Sequence, residues 1–268
     1  MEPQSTPKPS PLIPIAIIVG FALIAIAIFF TGGKNSSLPE ALKNATNTPT
    51  TTSTPRPIDA TDYIRGNPNA PILLVEYSDY DCPFCKQYHE TLVQIMDEYG
   101  VTGRVAWVYR QFPITQLHPN SPKISEAALC VGSVGGTDAF WKFTDLIFEE
   151  REVEEMTNVV ALPDYAVEAG VKKEDYIACM EGGKMKDQVK KSIEDAFNIG
   201  ARGTPYTVIM VGTEQAVING NQSYDTVKGI IENLLMQLDG NFDAKAAAES
   251  AALSAPAPAP SPSPTPAQ

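Results

Sequence analysis

The stretch Asp81-Cys82-Pro83-Phe84-Cys85-Lys86 decides how the rest of the chain is read. It follows an apolar run, Ile72-Leu73-Leu74-Val75, with the signature of a buried strand. It opens an amphipathic helix in which Tyr88, Leu92, Ile95, Met96 and Tyr99 share one face before Gly100 stops it. A Cys-x-x-Cys at that junction has its first sulfur at a helix N-terminus, where unpaired backbone N–H groups and the helix dipole stabilise a thiolate. Pro83 fits the first turn, because its missing N–H would have no intrahelical partner there.

Three other readings of the pair are weaker. Zinc needs further ligands, and Cys130 and Cys179 are isolated rather than paired at metal spacing. Covalent haem attachment needs His directly after the second Cys, where this chain has Lys86. A purely structural disulfide would not need the strand-to-helix placement. Thiol redox chemistry remains, with no metal and no cofactor beyond the redox-active pair itself.

The chain has 268 residues and a net charge of −12. Residues 1–57 carry Lys8, Lys34, Lys43 and Arg56 against Glu2 and Glu40, so the remainder is more acidic than the whole. A domain of that charge has no electrostatic footprint for nucleic acid. Four cysteines permit two disulfides in an oxidising compartment.

Residues 1–11 form a short polar, proline-rich segment. From Leu12 to Phe30 the chain is almost unbroken apolar sequence without a charge, long enough to cross a hydrocarbon core. We read 12–31 as an uncleaved transmembrane anchor rather than a signal peptide, since no clear small-x-small site follows the run. All four cysteines come after it, which places that side outside the cytoplasm. Residues 32–57, rich in Thr, Ser, Asn and Pro, read as a flexible linker with a reach on the order of 25–30 Å. The folded domain is expected over 58–238, and 239–268 as a disordered Ala/Pro-rich tail.

Within the domain, Asp62 to Pro71 reads as a lead-in and 72–78 as the first strand. A helix is expected over 83–99. A strand over 104–111 alternates around Val105, Trp107 and Tyr109. Residues 121–200 show only helical patterns, at about 122–133, 137–150, 157–169, 173–181 and 183–198. Strands resume at 206–211 and 215–219, and a helix over 223–238 follows. Strand runs split by an all-helical block predict an α/β domain with an inserted helical subdomain.

With these elements in place, the chain resembles the DsbA-like branch of the thioredoxin family. The strand leading into the redox turn, Glu76-Tyr77-Ser78-Asp79-Tyr80-Asp81-Cys82-Pro83-Phe84-Cys85, the helical insertion, and Gly203-Thr204-Pro205 before a strand carry the likeness. It covers residues 60–238. The resemblance implies a thioredoxin-like fold and a thiol–disulfide oxidoreductase, with Cys82 the exposed nucleophile and Cys85 the resolving thiol. It implies a cis Thr204-Pro205 bond lying against the cysteines, in keeping with a proline at a strand's first residue. Thr204, Pro205, Pro83 and Phe84 would then meet the polypeptide substrate. Glu76, a carboxylate on an otherwise apolar strand, would sit beneath the site and assist proton transfer from the buried cysteine; an edge position facing solvent is the alternative. Cys130 and Cys179 would form a structural disulfide, as against two separate buried thiols.

One departure stands out. Relatives often carry His just before the second cysteine, and Phe84 cannot stabilise a thiolate as His does. His89 and His118 receive no role. The expected protein is a membrane-anchored oxidant of moderate strength. It would donate disulfides to secreted or envelope proteins and be reoxidised by a membrane partner. A reductase or isomerase on the same fold, or a peptide-binding chaperone domain, are the alternatives; no dimerisation domain precedes the core, which counts against the isomerase.

Overall fold

The computed structural model describes residues 54–254, with side chains through residue 240. The expected anchor at 12–31 and most of the expected linker lie outside the described residues. Among the described residues no helix is long and apolar enough to cross a membrane.

Five strands form one sheet: β1 (Tyr63–Gly66), β2 (Ile72–Ser78), β3 (Val105–Gln111), β4 (Tyr206–Val211) and β5 (Glu214–Asn219), in the order β1-β3-β2-β4-β5. β2 and β3 are parallel, joined by a crossover through α1 (Pro83–Ile95) and a π-turn at Met96–Gly100. The other pairings are antiparallel. β2 is therefore central, and both of its faces are covered, which is why its sequence reads as an apolar run rather than an alternation.

The helical block consists of α2 (Ser121–Glu150), α3 (Leu162–Glu168), α4 (Lys173–Gly182) and α5 (Lys186–Asn198). α2 is kinked at Gly136, whose φ of 80° suits a residue without Cβ. The kink separates the two helices expected at 122–133 and 137–150. The last helix, α6, spans Tyr224–Ser254.

The sheet divides the core by strand period. Ile72, Leu74, Trp107 and Tyr109 pack with α1, α2 and α6. Val75, Tyr77 and Val108 pack on the other face with Ala196 and Ile199 at the end of α5. Glu76 has the parity of Ile72 and Leu74, so it points to the face that carries the cysteine helix.

Several expectations need correction. The lead-in contains a strand, β1, which pairs antiparallel with β3 over Tyr63–Gly66. The strand expected over 104–111 is β3, and it is buried along its whole length, Arg110 and Gln111 included. Arg110 is held by Asp62 at 3.0 Å and Asp195 at 2.9 Å. The same cluster captures the end of the expected linker: Pro55 is buried, and Arg56 pairs with Asp62 at 2.6 Å. α3 begins at Leu162, not at 157, because an earlier start would put Pro163 inside the helix. α6 continues through Ser254, into the expected disordered tail; its run from Ala244 to Ala252 is rich in alanine, the strongest helix former.

Candidate active site

β2 ends at Ser78, and the chain turns through residues 79–82 into α1. Asp79, fully buried, organises this turn. Its carboxylate accepts from the N–H of Asp81 at 2.9 Å and of Ile114 at 2.6 Å, from the Ser121 hydroxyl, and pairs with His118 Nδ1 at 2.8 Å. Asp81 Oδ1 accepts from the Thr157 N–H at 2.8 Å, which ties the turn to the loop after α2. Cys82 is the N-cap of α1, with φ −72° and ψ 125°, and Pro83 occupies the first turn.

The cysteines are a dithiol with distinct surroundings. Cys85 is fully buried on the inner face of α1. Cys82, expected to be exposed, keeps only 5% of its surface. The loop bearing the cis Thr204-Pro205 bond covers it, and the Cys82 thiol donates toward the Thr204 carbonyl oxygen at 3.6 Å. Phe84 is 58% exposed, so the open part of the motif is apolar.

The two thiols are pulled apart in acidity. Cys82 is lowered to about 6, first by a hydrogen bond from Cys85; burial opposes this, while the Thr204 side chain and the N–H groups of Cys85 and Phe84 reinforce it. Cys85 is raised well above the ordinary thiol value, first by burial, then by its bond to Cys82 and the charges of Cys82 and Glu76.

Glu76 is fully buried on the central strand, which excludes the edge alternative. Oε2 accepts from the Trp107 indole N–H at 2.9 Å, while Oε1 is buried without a partner. Burial pushes the carboxyl up to about 7; Ser78 and Trp107 oppose the shift and the charge of Cys82 adds to it.

Sequence reasoning missed Arg151. It follows the last residue of α2 and reads as an ordinary solvated cation, yet it is 5% exposed. Nε donates to the Tyr80 carbonyl at 3.0 Å and Nη2 to the Cys82 carbonyl at 2.7 Å. The Trp107–Glu76 bond was also unforeseen, because it depends on which strands are neighbours. His89 is buried against Asp145, with Nε2 2.8 Å from Oδ1, and burial lowers its pKa.

Cys130 of α2 and Cys179 of α4 are joined by a disulfide with Cα atoms 5.8 Å apart. It lies within the helical block. Among the described residues no three His, Cys, Asp or Glu side chains converge to hold a metal ion.

A family model described as thioredoxin matches residues 59–233. Among curated proteins, the Na(+)/H(+) antiporter NhaA 1 of Mycolicibacterium gilvum is 31% identical over 156 residues, covering 56% of this chain and 24% of the antiporter. NhaA of Herminiimonas arsenicoxydans is 26% identical over 218 residues, covering 81% and 31%. The chain thus spans less than a third of the length of these relatives. Among solved structures, α-DsbA1 of Wolbachia pipientis superposes with a TM-score of 0.59 at 20% identity, over 69% of this chain and 96% of that one. Oxidised BdbD of Bacillus subtilis gives 0.56 at 24%, over 65% and 92%. The catalytic domain of Proteus mirabilis ScsC gives 0.53 at 24%, over 66% and 91%. At these identities the likeness is one of fold.

Proposed function

The chain belongs to the thioredoxin family, with a DsbA-like fold, and we propose that it donates disulfides to thiol-containing polypeptides outside the cytoplasm. The observation that carries this reading is the asymmetry of the pair: Cys82 at the N-cap of α1 with a lowered pKa, Cys85 buried with a raised one.

A substrate thiolate attacks Cys82 Sγ of the oxidised pair. A mixed disulfide forms, the Cys82–Cys85 bond breaks, and the electron pair leaves on Cys85. Cys85 favours its protonated form, and Glu76, near neutrality in its burial site, serves as the proton carrier. The second substrate thiolate then attacks the substrate sulfur of the mixed disulfide, and Cys82 departs as the thiolate it favours. The substrate has lost two electrons and the protein holds them as a dithiol. Pro83, exposed Phe84, Thr204 and Pro205 meet the incoming chain.

The reduced pair is reoxidised by a membrane partner, with residues 12–31 as the anchor. The disulfide between Cys130 and Cys179 supports an oxidising compartment. The test is transfer: oxidised protein mixed with a reduced, unfolded dithiol polypeptide should pass on one disulfide per molecule, and Cys82→Ser should pass on none. Failure to transfer, with ready reduction of substrate disulfides by the reduced protein, would favour a reductase instead.

A further inference from the structure

We infer that Arg151 is the positioning residue of the redox turn, clamping the carbonyls on either side of Asp81 and adding a positive charge that favours the Cys82 thiolate. This rests on the thiol-exchange reading of the site and adds a charge to the hydrogen bonds already described at Cys82.

The geometry makes the guanidinium an integral part of the turn. Nε and Nη2 are given to Tyr80 and Cys82. Nη1 donates to the carbonyls of Glu152 at 3.2 Å, Val153 at 3.0 Å and Glu155 at 3.0 Å. The Cys82 carbonyl accepts twice, from Arg151 and from the Lys86 N–H at 3.2 Å, so both the N-cap peptide and the first helical bond are anchored. Loss of the fork would free the peptide that carries the nucleophile.

Five carbonyl oxygens satisfy the donors without neutralising the charge. Among the described residues no carboxylate lies within ion-pair distance of Arg151. The groups that face it electrostatically are Asp81, Cys85, Cys82 and Asp79. Asp79 is engaged by four donors, and Asp81 by the Thr157 N–H. On α1, the Lys86 ammonium is committed to the Phe148 carbonyl. Inside a protein a charge acts over longer range than in water. A cation bonded to the Cys82 carbonyl therefore favours the ionised sulfur, which exists only when the pair is reduced. The Phe84 side chain offers no such charge from within the motif.

The experiment titrates the reduced protein by thiolate absorbance, and by alkylation rate against pH, in the native chain, Arg151→Met and Arg151→Lys. In Arg151→Met the Cys82 midpoint should rise by about one unit, a roughly tenfold loss of thiolate below it. The equilibrium constant for reduction by glutathione should fall about tenfold, or about 30 mV. Arg151→Lys keeps the charge and should stay within about threefold of the native chain. An unchanged midpoint in Arg151→Met, or equal shifts in both variants, would overturn the inference. A merely structural arginine would lower the stability of oxidised and reduced forms alike and leave the midpoint in place. If Arg151→Met does not fold, Arg151→Gln, neutral but still a hydrogen-bond donor, takes its place: a midpoint raised by about a unit supports the charge argument, and one near native refutes it. These readouts need no substrate, so failed disulfide transfer by the native chain would sink the proposed function separately.

Discussion

The sulfur of Cys82 lies 3.6 Å from the carbonyl oxygen of Thr204, 122 residues further along the chain. The contact covers one side of the Cys82 thiol with a backbone acceptor. Cys82 keeps a small exposed surface, while Cys85 keeps none.

Selective labelling follows. In the reduced protein, limiting iodoacetamide should modify Cys82 and spare Cys85, with the rate half-maximal near pH 6. Peptide mass mapping reads the result. Equal labelling of the two cysteines at neutral pH would contradict the assigned roles.

The direction of electron flow should show in stability. Cys82 falls from about 9 in an unfolded chain to about 6 in the folded dithiol. A depressed pKa contributes stability that is fully present above the unfolded value and lost as pH falls through the folded one. The reduced form should therefore gain up to ~4 kcal/mol relative to the oxidised form between about pH 6 and pH 9. Above that window the raised pKa of Cys85 acts in the opposite sense. Denaturant unfolding of both redox forms, with the bond between Cys130 and Cys179 kept intact, measures the difference. An oxidised form that is more stable throughout would rule out a disulfide donor.

Glu76 should give the opposite slope. Burial raises its carboxyl from 4.5 to about 7, so the folded state binds a proton that the unfolded state has released. That contribution is fully present below about pH 4.5 and lost as pH rises through about 7, a loss on the order of 3 kcal/mol. Measured on the oxidised protein, where the Cys82 charge that adds to the shift is absent and the loss is correspondingly smaller, Glu76→Gln should flatten the profile below about pH 7. It should also slow proton-coupled exchange at Cys85. A native profile already flat from pH 4.5 to 7 would remove the argument for a proton carrier.

The disulfide within the helical block should be structural. Cys130 and Cys179 are 49 residues apart, and closing a loop of that size stabilises by roughly 4 kcal/mol in the chain-entropy model. Cys130→Ala with Cys179→Ala should lower the denaturant midpoint accordingly and leave the labelling rate of Cys82 unchanged. A matched loss of Cys82 reactivity in a folded variant would instead tie this bond to the redox pair.

Local pattern determined much of this protein. The apolar run into Cys-Pro-Phe-Cys specified a buried strand and a cysteine at a helix N-terminus. Helical period marked the block from Ser121 to Asn198, and Thr204-Pro205 marked the strand that follows. These are features whose physics acts within a few residues: helix termini, proline geometry and the period of a buried face. Tertiary structure decided the rest. Tyr63–Gly66 becomes a strand only because β3 offers an edge to pair with. Glu76 meets Trp107 because β2 and β3 are neighbours in register. Cys82 is covered by a loop remote in sequence, and Arg151 reads as a surface cation until the end of α2 is folded against the redox turn. In each case the partner comes from a distant part of the chain, so no spacing along the sequence encodes the contact.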